Sequence, residues 1–215
     1  IHVYEDTGQV FEMDVVVGKA GNNTVVFRDE LKYIVFSPYW NIPTSIVKNE
    51  ILPAMQRNPA YLAAKNMEQT GTSNGLPVIR QRPGGSNALG RVKFLFPNSY
   101  SIYFHDSPAK SLFARTKRDF SHGCIRLSQP KKLAQYLLRH KPEWTEKRID
   151  SAMDATVEKW VTLDKSIPVV ISYFTAWVDG DGTLNFREDI YRHDQEMADR
   201  MFVRARREPG IAKAK

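Results

Sequence analysis

The chain holds one cysteine, Cys124, within Ser121-His122-Gly123-Cys124-Ile125-Arg126-Leu127. A thiol attacks only as thiolate, so a reactive cysteine needs a nearby base or a polar, partly exposed site that lowers its pKa. Gly123 lets backbone approach a ligand closely, which suits the N–H groups of Gly123 and Cys124 to a developing oxyanion. This grammar is that of acyl transfer. A second set of candidates lies in Tyr100 to Pro108, where Ile102 and Phe104 alternate with Tyr103 and His105. In a strand that alternation points the tyrosine and the histidine to the same side. His105 is the candidate base, and Tyr103 either contacts oxyanion or substrate or packs as strand tyrosines do. Each assignment has a plainer competitor: a buried structural thiol at Cys124, and at His105 a core histidine satisfied by Asp106 and Ser107. For His122 two roles stay open, orienting the Cys124 loop or contacting substrate.

The order His105, a spacer of about fifteen residues, then Ser121-His122-Gly123-Cys124, an apolar residue and Arg126 resembles the signature of L,D-transpeptidases with a YkuD-type catalytic domain, in their large periplasmic branch. Ser37 to Pro43 resembles the segment that opens that branch's capping insertion. Asn87 to Phe94 resembles its return to the sheet, and with Ser166 to Val169 the likeness covers most of residues 1–175. It implies a catalytic domain in two parts, 1–43 and 91–215, with a cap at 44–90. It implies Cys124 as nucleophile and His105 as base, with Gly123, Tyr103 and His122 supporting them. Arg126, Ser121, Asn41 and Trp40 are expected on the substrate side, although Arg126 could instead pair with a buried carboxylate and Trp40 could pack. The implied substrates are peptidoglycan stem peptides, a tetrapeptide donor and a diaminopimelate acceptor, joined 3→3. Carbapenems are the expected covalent inhibitors, the periplasm the expected compartment, and no cofactor is implied. A carboxypeptidase or endopeptidase using water as acceptor, and a non-catalytic wall-binding module, remain alternatives.

These side chains need strands to hold them. Residues 1–36 read as an antiparallel meander, with turns at Asp6 to Gln9 and Gly21 to Asn23. Thr44 or Ser45 is placed to cap a helix, and Asn58-Pro59 separates it from a second helical piece, Ala60 to Met67. Gln69 to Ser86, rich in Gly, Pro, Ser and Asn, reads as a loop and a mobile lid over Cys124, with Arg80 and Arg82 either meeting substrate carboxylates or solvated. Arg91 to Phe96 returns as a strand. Helices are expected after Ser128-Gln129-Pro130 and over Pro142 to Met153. Ile167 to Trp177, nearly all apolar, reads as a central strand, followed by a turn at Asp179 to Gly182, a helix over Asp189 to Arg206 and a frayed basic tail from Glu208. The fold class is mainly β, an antiparallel sandwich or flattened barrel, with a helical cap insertion and peripheral helices.

The 215 residues, 42% hydrophobic and 26% charged, suffice for one domain with an insertion, and a monomer is expected. A single cysteine excludes an intrachain disulfide and supplies no paired ligands for structural zinc, so no metal is expected. Asp179 and Asp181 start like a calcium loop, but the ligand series stops after two residues. The net charge of +7 favours an anionic partner. No nucleic-acid motif accompanies it, whereas carboxylate-bearing stem peptides fit.

Overall fold

Period-two alternation organises the part of the chain that carries the candidate residues. The computed structural model describes residues 1–202, and contacts divide the chain into two units, Ile1–Ile171 and Ser172–Lys215. In the first unit, β1 (His2–Glu5) and β2 (Gly8–Glu12) form a hairpin of their own, then β3 (Val15–Gly18) and β4 (Phe27–Phe36) enter the main sheet. An inserted segment follows: β5 (Trp40–Asn41), α1 (Thr44–Ile46), a π-turn (Val47–Ile51), α2 (Leu52–Arg57), α3 (Tyr61–Ala64), β6 (Met67–Ser73) and β7 (Leu76–Gln81). The main sheet resumes with β8 (Val92–Leu95), β9 (Phe104–His105), β10 (Asp119–Ser121) and β11 (Ile125–Leu127). Helices α4 (Pro130–Leu138) and α5 (Glu146–Met153) then lead to β12 (Lys159–Ile171). The second unit contains β13 (Ala176–Val178), β14 (Leu184–Phe186) and α6 (His193–Met201). The helix expected to run to Arg206 ends at Met201, and the expected tail from Glu208 lies outside the described residues.

The chain is mainly β, with peripheral helices, and the inserted segment expected to be helical holds a three-stranded sheet as well as short helices. Its seven-stranded sheet runs β10-β3-β11-β9-β8-β4-β12, and the β10–β3 and β11–β9 pairs are parallel. The opening strands therefore do not form a meander: β3 is captured by β10 and β11 from the middle of the chain, and β4 by β8 and β12. Local turn signals cannot reveal such long-range partners. One sheet face carries Ile34, Phe36, Val92, Phe94, Phe104, Ile125 and Leu127, all buried in one core cluster. Leu133, Ala134 and Leu138 of α4 and Ile149, Ala152 and Met153 of α5 cover this face, and Trp144 between them stacks on Phe36 at 5.1 Å. The other face carries the polar candidate residues together with the buried Val16 and Val35.

The apolar run at Ile167 is not central. β12 is an edge strand with β4 as its one neighbour, Val170 is 73% exposed, and the strand stops at Ile171. Burial along β12 alternates, so its continuous apolar run does not report burial on both faces.

The segment expected as a loop is a hairpin. β6 pairs with β7, and β7 also pairs with β5, giving a three-stranded sheet of order β5-β7-β6. The missed signal is Asn74-Gly75: both residues have positive φ, 51° and 76°, the mark of the two-residue turn that matches strand twist. Ile42, Ile46, Val47, Ile51 and Ile79 form a separate cluster beneath this sheet. Arg80 and Arg82 both bond to the Glu68 carboxylate across the hairpin, at 2.7 and 2.6 Å, and Arg82 stays exposed to solvent while doing so. Neither Thr44 nor Ser45 caps the first helix, whose N-cap is Pro43.

The packing predicts where substitutions hurt. Phe94→Ala removes a fully buried ring and lowers unfolding free energy by about 3–5 kcal/mol, whereas Val170→Ala on the exposed edge changes it by less than about 0.5 kcal/mol. Denaturant unfolding of the two variants checks this, and a loss at Val170 as large as a core deletion would restore the central placement of β12.

Candidate functional site

Strand register assembles the site. The parallel β9–β11 pair aligns Arg126 with His105 and Ile125 with Phe104, and the Ile125 N–H donates to the Tyr103 carbonyl at 3.1 Å. Paired residues share a face and alternate residues return to it, so Tyr103, His105, Cys124 and Arg126 lie together on the face opposite the core. Lys93 of β8 is paired with His105 on the same face, where its ammonium bonds to the Tyr39 carbonyl and lies 3.5 Å from Glu158. The Tyr103 and His105 rings are 5.8 Å apart between centroids.

The nucleophile loop is shaped from within. The Ser121 hydroxyl donates to the Cys124 carbonyl at 2.6 Å and accepts the Gly123 N–H at 3.1 Å. Ser121 is buried and holds the turn, so it does not face a substrate. Gly123 has φ 111°, outside the range L side chains readily adopt, and its N–H is committed to Ser121 rather than free for an oxyanion. Its carbonyl accepts from Thr24, whose hydroxyl also accepts the Gly18 N–H. Thr24 thus ties the loop to the end of β3, a role that its place after an Asn-Asn turn did not signal. His122 is exposed and reaches Glu50 of the π-turn, Nε2 to Oε1 3.0 Å, joining the loop to the inserted segment.

His105 is buried at 4% exposure. Its Nδ1 bonds to the Asp106 carbonyl, and a carbonyl can only accept, so Nδ1 carries the proton and Nε2 is the basic nitrogen. Burial lowers its pKa to about 4. The Arg126 charge pushes the same way, while the Asp106 and Leu89 carbonyls and the Asp106 carboxylate favour the protonated ring. Burial also pushes the Cys124 thiol up, opposed by hydrogen bonds from the Tyr103 N–H and hydroxyl and by Arg126. The Tyr103 hydroxyl is raised well above its usual range by burial and by the sulfur it bonds. The expectation of a thiol with lowered pKa is therefore reversed: at neutral pH both Cys124 and His105 rest uncharged, because desolvation outweighs every local donor.

Arg126 has no carboxylate partner among the described residues. Its Nε is buried without a hydrogen bond, and burial lowers its pKa. Trp40 and Asn41 sit on β5, paired to Gln81 and Arg80, with Trp40 against the insertion's apolar cluster and Asn41 exposed. Among the described residues no hydrogen bond or ring contact joins either to the Cys124 face. Sequence reasoning missed Thr24, Glu50 and Leu89, each brought to the site by a segment distant in the chain.

Residues 1–171 match the family model described as YkuD, L,D-transpeptidase catalytic domain. A protein of Haemophilus influenzae named "Putative L,D-transpeptidase" is 29% identical over 212 residues, a span of 92% of this chain and 43% of that protein. The chain thus spans less than half the length of the curated relative it matches.

Two outcomes follow from the charge states. Iodoacetamide alkylation of Cys124 in the free protein is slow at pH 7 and rises with an apparent pKa above the free-thiol value of about 8.5. A rate plateau near pH 6 would reveal a preformed thiolate–imidazolium pair instead. His105 has a folded pKa of about 4 against 6.5 unfolded, so between these values the unfolded chain binds more protons. Stability is then full above pH 6.5, falls as pH drops through the window and levels off below pH 4, by about 3 kcal/mol in all. His105→Gln removes that part of the acid sensitivity in unfolding measured at pH 7, 5.5 and 4, and an unchanged slope would contradict the buried neutral ring.

Proposed function

The chain belongs to the YkuD family of L,D-transpeptidase catalytic domains, and we propose that it forms 3→3 cross-links in peptidoglycan through an acyl-enzyme on Cys124. The observation that carries this reading is the register that sets Cys124, His105, Tyr103 and Arg126 on one sheet face, opposite the main core. His105 Nε2 removes the thiol proton as the sulfur attacks the carbonyl of the donor's diaminopimelate residue. Because thiol and imidazole are both neutral beforehand, proton transfer and attack belong to the same step. The Tyr103 hydroxyl, already at the sulfur, and the Cys124 N–H are the donors we assign to the oxyanion. His105 returns the proton to the departing D-alanine amine, leaving a thioester. The side-chain amine of a second diaminopimelate attacks that thioester, the amine's proton passes to His105, and the Cys124 thiol is restored.

Arg126, an unpaired half-buried guanidinium beside the sulfur, is assigned to a carboxylate of the stem peptide. The +7 chain charge favours approach of such an anionic polymer. Periplasmic placement and inhibition by carbapenems belong to the same proposal. Whether water or an amine takes the acyl group depends on how the site excludes water.

Whole-protein mass spectrometry tests the reading. With a tetrapeptide donor or a carbapenem, the wild type gains a single covalent adduct on Cys124, and Cys124→Ala gains none and loses several orders of magnitude in turnover. An unmodified wild-type mass after prolonged exposure to both would overturn it. With acceptor present, dimer formation over free tripeptide separates transfer from hydrolysis.

A further inference from the structure

We propose that the Asp106 carboxylate is a positioning residue for His105: it clamps the peptide whose carbonyl receives the histidine Nδ1–H and the turn that carries a second carbonyl to the same ring. The inference rests on the assignment of His105 as base and adds a residue that acts on it through the main chain.

Asp106 is 4% exposed, deep burial for a carboxylate, and the two main-chain N–H groups it accepts from both belong to segments that reach the base. Oδ1 accepts the Ser107 N–H at 2.7 Å. That N–H belongs to the peptide unit whose other end is the Asp106 carbonyl, the group bonded to His105 Nδ1. In a trans peptide the N–H and C=O point in opposite directions, so a carboxylate on one and an imidazole on the other fix the rotation of the plane. An anion at the N–H also polarises the amide and strengthens its carbonyl as an acceptor.

Oδ2 accepts the Arg91 N–H at 2.9 Å, and Arg91 follows Leu89-Gly90. The Leu89 carbonyl is the second main-chain group that favours the protonated His105 ring. This approach is possible because position 90 is glycine: it has φ 63°, and a Cβ there would lie 2.4 Å from Asp106 Oδ2. One carboxylate therefore holds the Asp106–Ser107 peptide, whose carbonyl meets the imidazole, and at Arg91 anchors the turn that carries the Leu89 carbonyl to the same ring.

Lys110 completes the clamp, with Nζ 2.5 Å from Oδ1. It is half exposed, and with Asp106 and Arg91 it lines a cavity of about 400 Å³ that His105 does not line. Water can enter when either side chain is changed, so substitutions need not strain the fold. The charged or titratable groups that face His105 are Arg126 and Cys124 from the β11 side, Lys93 from β8, Tyr103 on its own strand, and Asp106.

The two variants act in opposite directions. Asp106→Asn removes the negative charge that favours the imidazolium, so the His105 midpoint falls. Lys110→Met removes a cation and leaves the carboxylate unneutralised, so the midpoint rises. The measurement is an NMR titration of the His105 ring Cε1–H in the whole protein, assigned with His105→Gln. Turnover of a tetrapeptide donor is followed in parallel, where Asp106→Asn lowers kcat about tenfold or more with KM little changed. Opposite midpoint shifts support the clamp. Unchanged midpoints in both folded variants overturn it, and would make Asp106 a structural anchor of the turn. If Asp106→Asn does not fold, Lys110→Met decides alone: an upward shift supports the proposal and an unchanged midpoint rejects it. The titration does not depend on substrate, so shifts without turnover in the wild type would reject the transpeptidase reading and leave the clamp standing.

Discussion

The parallel pairing of β9 with β11 is the constraint from which the rest of the site follows. It joins residues about twenty apart in sequence, and its register decides which face each side chain takes. A slip of one residue would turn Cys124 and Arg126 toward Phe94 and Phe104, burying a charge in the core and removing Ile125 and Leu127 from it. The core thus selects the chemistry. Ile34, Phe36, Phe94, Phe104, Ile125 and Leu127 bind one face to α4 and α5, and the polar set is left on the other as the complement of that choice.

Burying a nucleophile and its base has an electrostatic consequence. A thiolate and an imidazolium would each lose much of their hydration here, and the local donors do not restore it. The resting site is therefore neutral, its charge appearing only when a substrate carbonyl is present to absorb it. Arg126 keeps its charge beside the sulfur, and its unsatisfied Nε marks the direction from which an anion would be welcome. The loop is kept in shape by neutral hydrogen bonds from Ser121 and Thr24, which do not compete for that role.

Much of this was legible in the chain, for physical reasons that can be named. Cys124 and His105 stood out because Ser-His-Gly-Cys and a Tyr-x-His alternation encode local geometry, and period two correctly grouped Tyr103 with His105. What failed depended on distant partners. Leu76 to Gln81 contains Pro77 and follows a Gly-rich stretch, so it read as loop, yet pairing with β5 and β6 on either side makes it a strand. The apolar run after Ile167 looked central because composition does not report how many neighbours a strand has. Ser121 looked available to substrate because a hydroxyl beside a nucleophile is a common contact, but its bonds close the turn. The thiol's raised pKa was invisible for the same reason: burial is a property of the assembled sheet, not of the motif.

A solvent isotope effect on the acylation of Cys124 by a tetrapeptide donor addresses the central claim most directly. If thiol and imidazole are neutral until attack, the proton moves in the bond-forming step, and acylation in single-turnover experiments at pH 7 is slower in D₂O than in H₂O. Equal or faster acylation in D₂O, with chemistry shown to limit the rate, would mean that the thiolate exists before substrate arrives and would contradict the account.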